Sequence, residues 1–366
     1  MYSDKVLDYD FGPQHPLQPV RYKLTYELMQ AYGLFDDGVD LVAPRDATDS
    51  ELEAVHEPGY IFTVRALGDS RGGVAAHAGL GPGDNPVFPG MHEVSALVAG
   101  GSIEAARLVL EGKLDYVFNV GGGLHHALPA RASGFCIYND PAVAISWLLR
   151  NGAERVVYLD TDAHHGDGVQ AIFYEDPRVM TISIHESGRY LFPGTGDVAE
   201  IGKDRARGTS INVPLEPGAS DADMIFSLDE AAIPLAQSFR PDMLVLQHGC
   251  DPHHLDPLTH LDCTMEAFRQ IGLRERDLAL DVTDGRAISG GGGGYAYREI
   301  VPRAWTATFA AFCGIELPEL LPETWRAEAG VSARALTEDV PAPDMPLEST
   351  KQTVMRLMHE LGRFEG

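Results

Sequence analysis

The chain has 366 residues, of which 44% are hydrophobic and 22% are charged, as in an ordinary globular protein. Its formal net charge of −26 disfavours binding to nucleic acid and to anionic membranes, and would attract basic partners such as lysine-rich segments. No apolar run approaches the roughly 20 residues that span a bilayer, and Met1–Lys5 lacks an export signal. The four cysteines are scattered without C-x-x-C spacing. We therefore expect a cytoplasmic protein that binds neither nucleic acid nor membrane.

The N-terminal part begins with a proline-rich stretch, Tyr9–Arg21, which predicts a loop. Apolar residues at helical spacing then predict a helix over Arg21–Leu34. His15 is typical of a turn residue rather than a ligand. Arg21 is either an ordinary charge at a helix start or an inward-pointing guanidinium that lines a channel, and the pattern alone leaves both open.

Residues Ala66–Gly90 are rich in glycine and proline and predict a long irregular segment. Asp84 lies within it, as a turn former or as an acceptor at the rim of a substrate site, and the composition favours the turn. The next helix is predicted over Met91–Gly112, which has one apolar stripe.

A short buried strand is predicted at Tyr116–Val120, followed at once by a glycine-rich turn with two adjacent histidines, His125 and His126. Glycine permits sharp turns and a close approach of the backbone to a ligand. Asn139 and the proline two residues later indicate a helix start. Before that helix, Phe135 follows a glycine and lines a pocket or fills the core.

The segment Tyr158–Gly168 is the most informative in the chain, because a β-branched apolar pair precedes it and polar residues crowd its end. Side chains two residues apart on a strand share a face, so Asp160, Asp162 and His164 lie on one side. Two carboxylates and an imidazole at the end of a strand need a positive partner. A solvated polar loop is the alternative for any single residue, but the whole cluster predicts a cation site.

The remaining pattern alternates strands and helices. We predict a helix at Gly168–Tyr174, a strand at Val179–His185, a turn at Leu191–Gly196, a helix from Ser220 to Phe239 kinked at Pro234, a strand at Asp242–Gln247 that leads to Asp251, a helix over Thr264–Leu280, a short strand at Ala287–Ile288 that enters the run Gly290–Gly294, and helices at Arg298–Phe312 and Thr350–Leu361. Residues 314–349 predict a surface wrap or a partly mobile arm.

This alternation predicts one α/β domain with a mostly parallel central sheet flanked by helices. We expect the catalytic domain to span residues 1–313, and residues 314–366 to pack on it or wrap around it as a C-terminal extension. Ligands of such sheets bind beyond the carboxyl ends of the strands. The unusual polar residues lie at four of these ends: His125 and His126, the Asp160–Asp167 segment, Asp251, and Tyr295.

Asp162, His164 and Asp251 form a three-ligand set that leaves positions open for water and substrate, as in a catalytic divalent site. Such a set suits zinc, while Fe(II), Co(II) and Mn(II) are chemically reasonable. His126 is a candidate general base.

The neighbours of this base complete the site. Asp167 could orient the other ring nitrogen of His126, and His125 backed by Asp160 would be its electrostatic neighbour. Tyr295 could donate its hydroxyl to a developing oxyanion. These groups describe the metal-assisted hydrolysis of an amide.

With these motifs in place, the chain resembles the arginase-like deacetylase superfamily, that is, the zinc-dependent histone deacetylases and their bacterial relatives. It looks closest to the acetoin utilization deacetylases. The resemblance runs from about Tyr9 to Ala311. Its motifs are His15–Arg21, Gly122–Ala127, Ala132–Asp140, Tyr158–Gly168, Phe192–Gly196, Asp256–His260 and Gly291–Tyr295.

Position by position, the resemblance implies an arginase-like fold, Zn²⁺ on Asp162, His164 and Asp251, and an acetyl oxygen polarised by Tyr295. The implied catalytic histidines and their carboxylates are His126, His125, Asp167 and Asp160. The implied substrate-binding residues are Asp84 at the rim, Gly134, Phe135, Phe192, Leu258 and Arg21. A structural K⁺ or Na⁺ is implied at Asp160, Asp162, His164, Ser183 and Ile184. For Asp84, the resemblance replaces the turn that composition favours.

One departure concerns the third ligand, where histone deacetylases usually have an alanine–aspartate pair after the glycine. Here the chain reads Gly249, Cys250 and Asp251, so the aspartate is kept and only the packing beside it differs. The following His253 and His254 are interpreted as substrate-facing or solvated.

The leading hypothesis is a lysine deacetylase that acts on an acetylated protein or peptide, in this lineage acetyl-coenzyme A synthetase. A small-molecule amidohydrolase acting on acetylated polyamines is the alternative enzyme, and the acidic composition suits either cationic substrate. A third hypothesis is a non-catalytic acyl-lysine binder, which we would expect to lack the tyrosine, the base or a ligand. A two-metal ureohydrolase is disfavoured, since the sequence offers one compact ligand set. The oligomeric state is left open.

Overall fold

A computed structural model of the chain describes residues 1–36, 38–70 and 72–362. Over these residues the strands form one six-stranded sheet, in which every pairing is parallel and the order is β1-β6-β5-β2-β3-β4. The strands are β1 (Tyr116–Asn119), β2 (Val156–Asp160), β3 (Val179–Glu186), β4 (Ser210–Leu215), β5 (Met243–Gln247) and β6 (Ala287–Gly290). The predicted α/β domain with a parallel sheet is confirmed.

Helices connect the strands and cover the sheet, as the crossovers between parallel strands require. They are α1 (Val20–Ala31), α2 (Asp49–Leu52), α3 (Pro58–Ser70), α4 (Met91–Leu110), α5 (Asp140–Arg150), α6 (Asp167–Phe173), α7 (Asp221–Ser227), α8 (Ile233–Phe239), α9 (Met265–Val282), α10 (Val301–Cys313), α11 (Glu323–Ala329) and α12 (Glu348–Glu360). The strongest helix pairs are α9 with α10, α4 with α5, and α1 with α10. None of the helices in these residue ranges is long and apolar enough to cross a membrane.

The predicted helix starts follow local capping chemistry. The side chain of Asn139 accepts a hydrogen bond from the backbone of Ala142 at 3.0 Å, which satisfies a free N–H in the first turn of α5. At α7 the carboxylate of Asp223 accepts from the backbone of Ser220 at 2.9 Å. Both helices therefore begin where the sequence placed a cap.

Several boundaries differ from the prediction. The irregular segment begins later than Ala66, because α3 continues to Ser70. The buried side of α3 packs closely against the start of α4, since a Cβ on Gly68 would lie 3.2 Å from the backbone nitrogen of Met91. The helix before Pro234 is interrupted one turn earlier than expected, by a π-helical turn at Leu228–Ala232.

Strand β4 was not predicted, since it carries polar residues where a buried strand usually shows an apolar run. Asn212 and Ser210 each donate a hydrogen bond to the side-chain oxygen of Gln170, at 2.7 and 2.8 Å. These bonds pair the buried Ser210 hydroxyl and the Asn212 amide N–H inside the protein, so a polar strand fits at the edge of the sheet.

The extension after residue 313 is fastened to the body by several buried contacts. The indole of Trp325 donates to the carbonyl of Leu24 in α1 at 3.1 Å. The buried guanidinium of Arg303 in α10 donates to the carbonyls of Leu336 and Glu338. The final helix α12 packs beside β4. Residues 363–366 of the predicted extension lie outside the described residues.

Candidate metal centre and catalytic site

The candidate site lies where four neighbouring strands end. β1, β6, β5 and β2 are adjacent in the sheet, and all run in the same direction. The segments that follow them carry His125 and His126, Tyr295, Asp251, and Asp162 with His164. Parallel pairing therefore brings together residues that are as much as 170 positions apart in the chain, at the edge where α/β proteins bind ligands.

The three predicted metal ligands meet at one point. Among the described residues, the ligand atoms of Asp162, His164 and Asp251 all lie within 4.8 Å of one another, and the three side chains are buried. Nδ1 of His164 is 3.1 Å from an oxygen of Asp162 and 2.9 Å from one of Asp251. The three side chains are therefore close enough together to bind one ion.

The electrostatics of this cluster fit a cation. Burial and the charge of Asp162 raise the pKa of Asp251 to about 7, because two carboxylates compete for ionisation in one dry site. Burial opposes ionisation of Asp162, but the charges of His125 and His164 keep its pKa well below the usual range. The ion pairs found in the described ranges give neither carboxylate a lysine or arginine partner. Two oxygens and one nitrogen are a donor set that a divalent metal accepts.

Glycines bring the backbone against this cluster. A Cβ on Gly249 would lie 2.2 Å from Oδ2 of Asp162, and one on Gly293 would lie 2.2 Å from Oδ2 of Asp251. The backbone N–H of Gly293 donates to Asp162 at 2.7 Å, and that of Ala163 donates to Asp251 at 2.8 Å. Neither position has room for a side chain, so glycine is required at both.

The two histidines after β1 form a pair with separate carboxylates. Nδ1 of His125 lies 2.7 Å from Asp160, and Nδ1 of His126 lies 2.6 Å from Asp167. The facing Nε2 atoms of the two rings are 3.0 Å apart. Each Nδ1 therefore donates to a carboxylate, and the two Nε2 atoms face the interior of the site.

The environment separates the pKa values of these two rings. Burial opposes protonation of His125, but the charges of Asp160 and Asp162 more than offset it and raise its pKa to about 9. Burial and the charge of His125 lower the pKa of His126 to about 4. At neutral pH His126 is therefore the neutral ring and can accept a proton, which is what a general base requires.

Tyr295 also lies beside the metal cluster. Its ring centroid is 6.3 Å from that of His164, while the ring of His126 is 5.8 Å from His164. Burial and the charges of Asp251 and Asp162 raise the pKa of the phenol well above its ordinary value. The hydroxyl therefore stays protonated and can donate a hydrogen bond.

Two phenylalanines and a glycine lie next to the rings of His126 and Tyr295. The ring of Phe192 lies 5.0 Å from His126 and is 41% exposed, so it stands at the mouth of the pocket. Phe135 lies 5.7 Å from Tyr295 and has a left-handed backbone with φ of 67°. A Cβ on Gly134 would lie 2.3 Å from the ring of His126. Phe135 is half-buried and also packs against the hydrophobic core, so its place in a pocket wall stays a prediction.

Arg21 is fully buried, which decides between its two alternatives. Its guanidinium donates to the carbonyl of Gly294 at 2.9 Å and to the hydroxyl of Tyr22 at 3.0 Å. It also lies 5.2 Å from the ring centroid of Trp305. The residue is therefore an inward cation behind Tyr295 rather than an exposed charge at a helix start.

The other predicted substrate residues lie around the rim. The carboxylate of Asp84 is exposed, and its carbonyl is 3.2 Å from Nε2 of His15, whose ring is 4.4 Å from Phe135. Leu258 is half-buried, and its backbone donates to Asp256 at 3.0 Å. Asp84 is thus connected to Phe135 through His15, and Leu258 is connected to Tyr295 through Asp256.

The residues predicted to hold a monovalent cation lie behind the ligand cluster. Asp160 and Ser183 are direct neighbours on β2 and β3, and Ile184 follows on β3. The Ser183 hydroxyl lies 2.8 Å from Nδ1 of His185. Asp160, Ser183 and Ile184 are buried, and the cation at this position stays a prediction.

Several functional neighbours were not predicted. Gln247 donates to Asp162 at 2.8 Å, and the hydroxyl of Tyr158 donates to Asp160 at 2.7 Å. The carboxylate of Asp256 accepts the backbone N–H of Tyr295 at 2.7 Å. Gln247 is the last residue of β5, and Tyr158 lies two residues before the end of β2. Their positions at strand ends are a signal that could have indicated them.

A second group of possible ligands, His253, His254 and Asp339, was also found among the described residues. Nδ1 of His253 accepts the backbone N–H of Leu255 at 3.1 Å, so its proton is on Nε2, which donates to Asp339 at 2.6 Å. A ring held in this tautomer offers no lone pair to a metal. His253 is also buried, so the solvated or substrate-facing interpretation of this residue is wrong.

Comparisons with known proteins agree on one relationship. The model of the histone deacetylase domain matches residues 15–312. The chain is 44% identical to the acetoin utilization protein AcuC of Bacillus subtilis over 327 residues, which are 89% of this chain and 84% of that protein. It is 41% identical to AcuC of Staphylococcus xylosus over 328 residues, 89% of this chain and 85% of the relative.

A solved structure shows the same similarity in three dimensions. The crystal structure of an HDAC homologue complexed with SAHA superposes with a TM-score of 0.86 at 32% sequence identity. The match covers 96% of this chain and 97% of the other.

Proposed function

Because the chain belongs to the histone deacetylase family and is similar to its AcuC members, we propose that it is a zinc-dependent deacetylase that hydrolyses the amide of acetyl-lysine in a protein or peptide. The single observation that supports this most is that the rings of His126 and Tyr295 both lie close to the ring of the predicted ligand His164. A neutral base, a protonated phenol and a three-ligand metal cluster are the groups that amide hydrolysis needs.

In this proposal Asp162, His164 and Asp251 hold the metal. A divalent ion there supplies Lewis acidity, which polarises the acyl oxygen and lowers the pKa of water. Zinc fits the donor set, and Fe(II) is an alternative. A K⁺ or Na⁺ at Asp160 and Ser183 would offset the negative charge behind the cluster.

Side chains of the protein transfer the proton and stabilise the developing charge. His126 takes the proton from the attacking water at Nε2, while Asp167 holds its ring by Nδ1. His125, protonated and paired with Asp160, stabilises negative charge at its side of the site. The phenol of Tyr295 donates to the acyl oxygen as it gains charge. His126 then returns the proton to the leaving amine.

The open rim supports a macromolecular substrate. Phe192 is 41% exposed, and the carboxylate of Asp84 is also exposed, so it can accept a hydrogen bond from a substrate backbone. Phe135 would line the tunnel for the acyl-lysine stem, with Gly134 and Leu258 beside it and Arg21 at its inner end. We propose that residues 1–313 form the catalytic domain. Acetylated acetyl-coenzyme A synthetase is the proposed protein substrate.

The test compares two substrates on zinc-loaded protein. An acetyl-lysine peptide and acetylputrescine are each assayed for released amine, with Tyr295→Phe as the matched inactive control. Higher kcat/KM for the peptide is expected. Turnover of acetylputrescine alone would show a polyamine amidohydrolase, and turnover of neither by a metal-loaded protein that binds the peptide would show a non-catalytic binder.

A further inference from the structure

The loop that follows the third ligand is held by a residue of the C-terminal extension. Oδ2 of Asp339 accepts hydrogen bonds from Nε2 of His253 at 2.6 Å and from the backbone of Met265, the first residue of α9, at 3.0 Å. His253 lies two residues after Asp251. We call the contact of Asp339 with His253 and Met265 the Asp339 junction.

The junction continues to Tyr295 through a short series of bonds. The carbonyl of His253 accepts the backbone N–H of Asp256 at 2.8 Å. The carboxylate of Asp256 accepts the backbone N–H of Tyr295 at 2.7 Å. Movement of His253 therefore displaces both the segment that contains Asp251 and the carboxylate that holds Tyr295.

The other side of the junction is anchored firmly. Arg303 of α10 donates to the carbonyls of Leu336 and Glu338, which lie three residues and one residue before Asp339. Glu299 lies between Tyr295 and α10, and it accepts hydrogen bonds from the backbones of Ser332 and Ala333 at 3.0 and 2.9 Å. The extension thus connects the segments that follow β5 and β6.

His253 is unsuited to move freely in response to a substrate. It is 1% exposed, its Nδ1 is occupied by Leu255, and its ring stacks at 6.2 Å on Phe268. A buried ring with both nitrogens bonded has one orientation, which Asp339 sets.

We propose that Asp339 is a positioning residue of the active site, acting through His253 on Asp251 and through Asp256 on Tyr295. The inference rests on the proposed roles of Asp251 and Tyr295. It assigns to the C-terminal extension a part in catalysis, because a misplacement of about 1 Å at a metal ligand or an oxyanion donor lowers the rate substantially.

The test uses the full chain with Asp339→Ala, Asp339→Asn and Glu319→Ala. Asparagine can put its oxygen at the position of Oδ2 and keep both bonds of the junction, so it is the conservative rescue variant. Glu319 is the matched control, because it is a carboxylate of the same extension whose hydrogen bonds go to Thr337.

Metal affinity is measured by competition between the apoprotein and a chromophoric zinc chelator, and ligand geometry by the visible spectrum of the Co²⁺-loaded protein. Asp339→Ala is expected to weaken zinc binding by roughly tenfold and to shift the Co²⁺ bands. Its kcat should fall at nearly unchanged KM. Asp339→Asn should stay within about twofold of wild type, and Glu319→Ala should be unchanged.

Wild-type zinc affinity and Co²⁺ spectrum in Asp339→Ala would overturn the inference. An equal loss in Glu319→Ala would also overturn it, since that result means general loosening of the extension. If the alanine variant does not fold, Asp339→Glu replaces it, because it moves the carboxylate by one methylene, and an unshifted spectrum then has the same meaning. The metal measurements need no substrate, so they decide this inference even if the peptide assay disproves the proposed function.

Discussion

Nε2 of His125 and Nε2 of His126 lie 3.0 Å apart, while each Nδ1 donates to its own carboxylate. At that separation the two nitrogens share one proton, because two N–H groups would repel and two lone pairs would gain nothing. The pKa values of about 9 and about 4 place that proton on His125. The pair therefore combines one protonated ring with one neutral ring.

The first prediction concerns pH. His126 accepts a proton only above its pKa of about 4, so kcat/KM should fall as the pH drops through that value. His125 is protonated below about 9, so activity should fall again as the pH rises through 9. A bell-shaped profile of kcat/KM for an acetyl-lysine peptide is expected.

Two variants test the alkaline limb and the acid limb of that profile separately. Asp160→Asn removes a charge that raises the pKa of His125, so the alkaline limb should move to lower pH. Asp167→Asn removes a bond that raises the pKa of His126, so the acid limb should move to lower pH. An alkaline limb that stays in place in Asp160→Asn would contradict the assignment of His125.

The second prediction concerns the base itself. His126→Ala should lower kcat by about 10²- to 10⁴-fold, the usual contribution of general acid–base catalysis. Its zinc affinity should stay close to wild type, because His126 lies outside the ligand set of Asp162, His164 and Asp251. A chelator competition assay and peptide turnover measure the two quantities. Near-wild-type turnover would show that another group takes the proton.

The third prediction concerns the oxyanion donor. Tyr295→Phe should lower kcat by roughly 10²- to 10³-fold, as for the loss of one donor. The free energy of unfolding should change little, since the structure shows no hydrogen bond from this hydroxyl to the described residues. Peptide kinetics and urea unfolding check the two parts. A variant that kept its turnover would remove Tyr295 from the mechanism.

The fourth prediction uses two glycines with similar backbone angles. Gly134 and Gly112 have φ of 51° and 65°, so the left-handed backbone alone should cost an alanine at either position about 1–2 kcal/mol of stability. Only at Gly134 does a Cβ collide with the His126 ring, because Gly112 has open space. Gly134→Ala should therefore lose most turnover, while Gly112→Ala keeps it. Equal activity after correction for folded protein would argue against a tight wall.

The fifth prediction concerns metal removal. Dialysis against a chelator should abolish peptide turnover, and zinc should restore it. Zinc at about a thousand times its Kd should raise the free energy of unfolding by about 4 kcal/mol, because it binds only the folded chain. The gain should vanish in Asp162→Ala. A melting temperature that zinc does not change would contradict the ligand set.

The sequence predicted the sheet and the four strand ends because local patterns determine both. An apolar run marks each of these strands, and a polar residue or a glycine marks the end of the strand, as at Asp160 and Gly290. The pairing of Asp256 with Tyr295 and of Asp339 with His253 left no local mark, since the partners are 39 and 86 residues apart. The polar strand β4 was not predicted because the partner of Ser210, Gln170, lies 40 residues away in the chain.

The order of strands in the sheet has a consequence for synthesis on the ribosome. β1 carries the histidine pair at its end, yet its neighbour in the sheet is β6, about 170 residues later in the chain. Until Gly290 has emerged, the nascent chain can complete β2 to β5 but cannot dock β1. The last strand to be translated closes the sheet, so an interrupted polypeptide that stops before residue 287 would release a protein without an assembled catalytic centre.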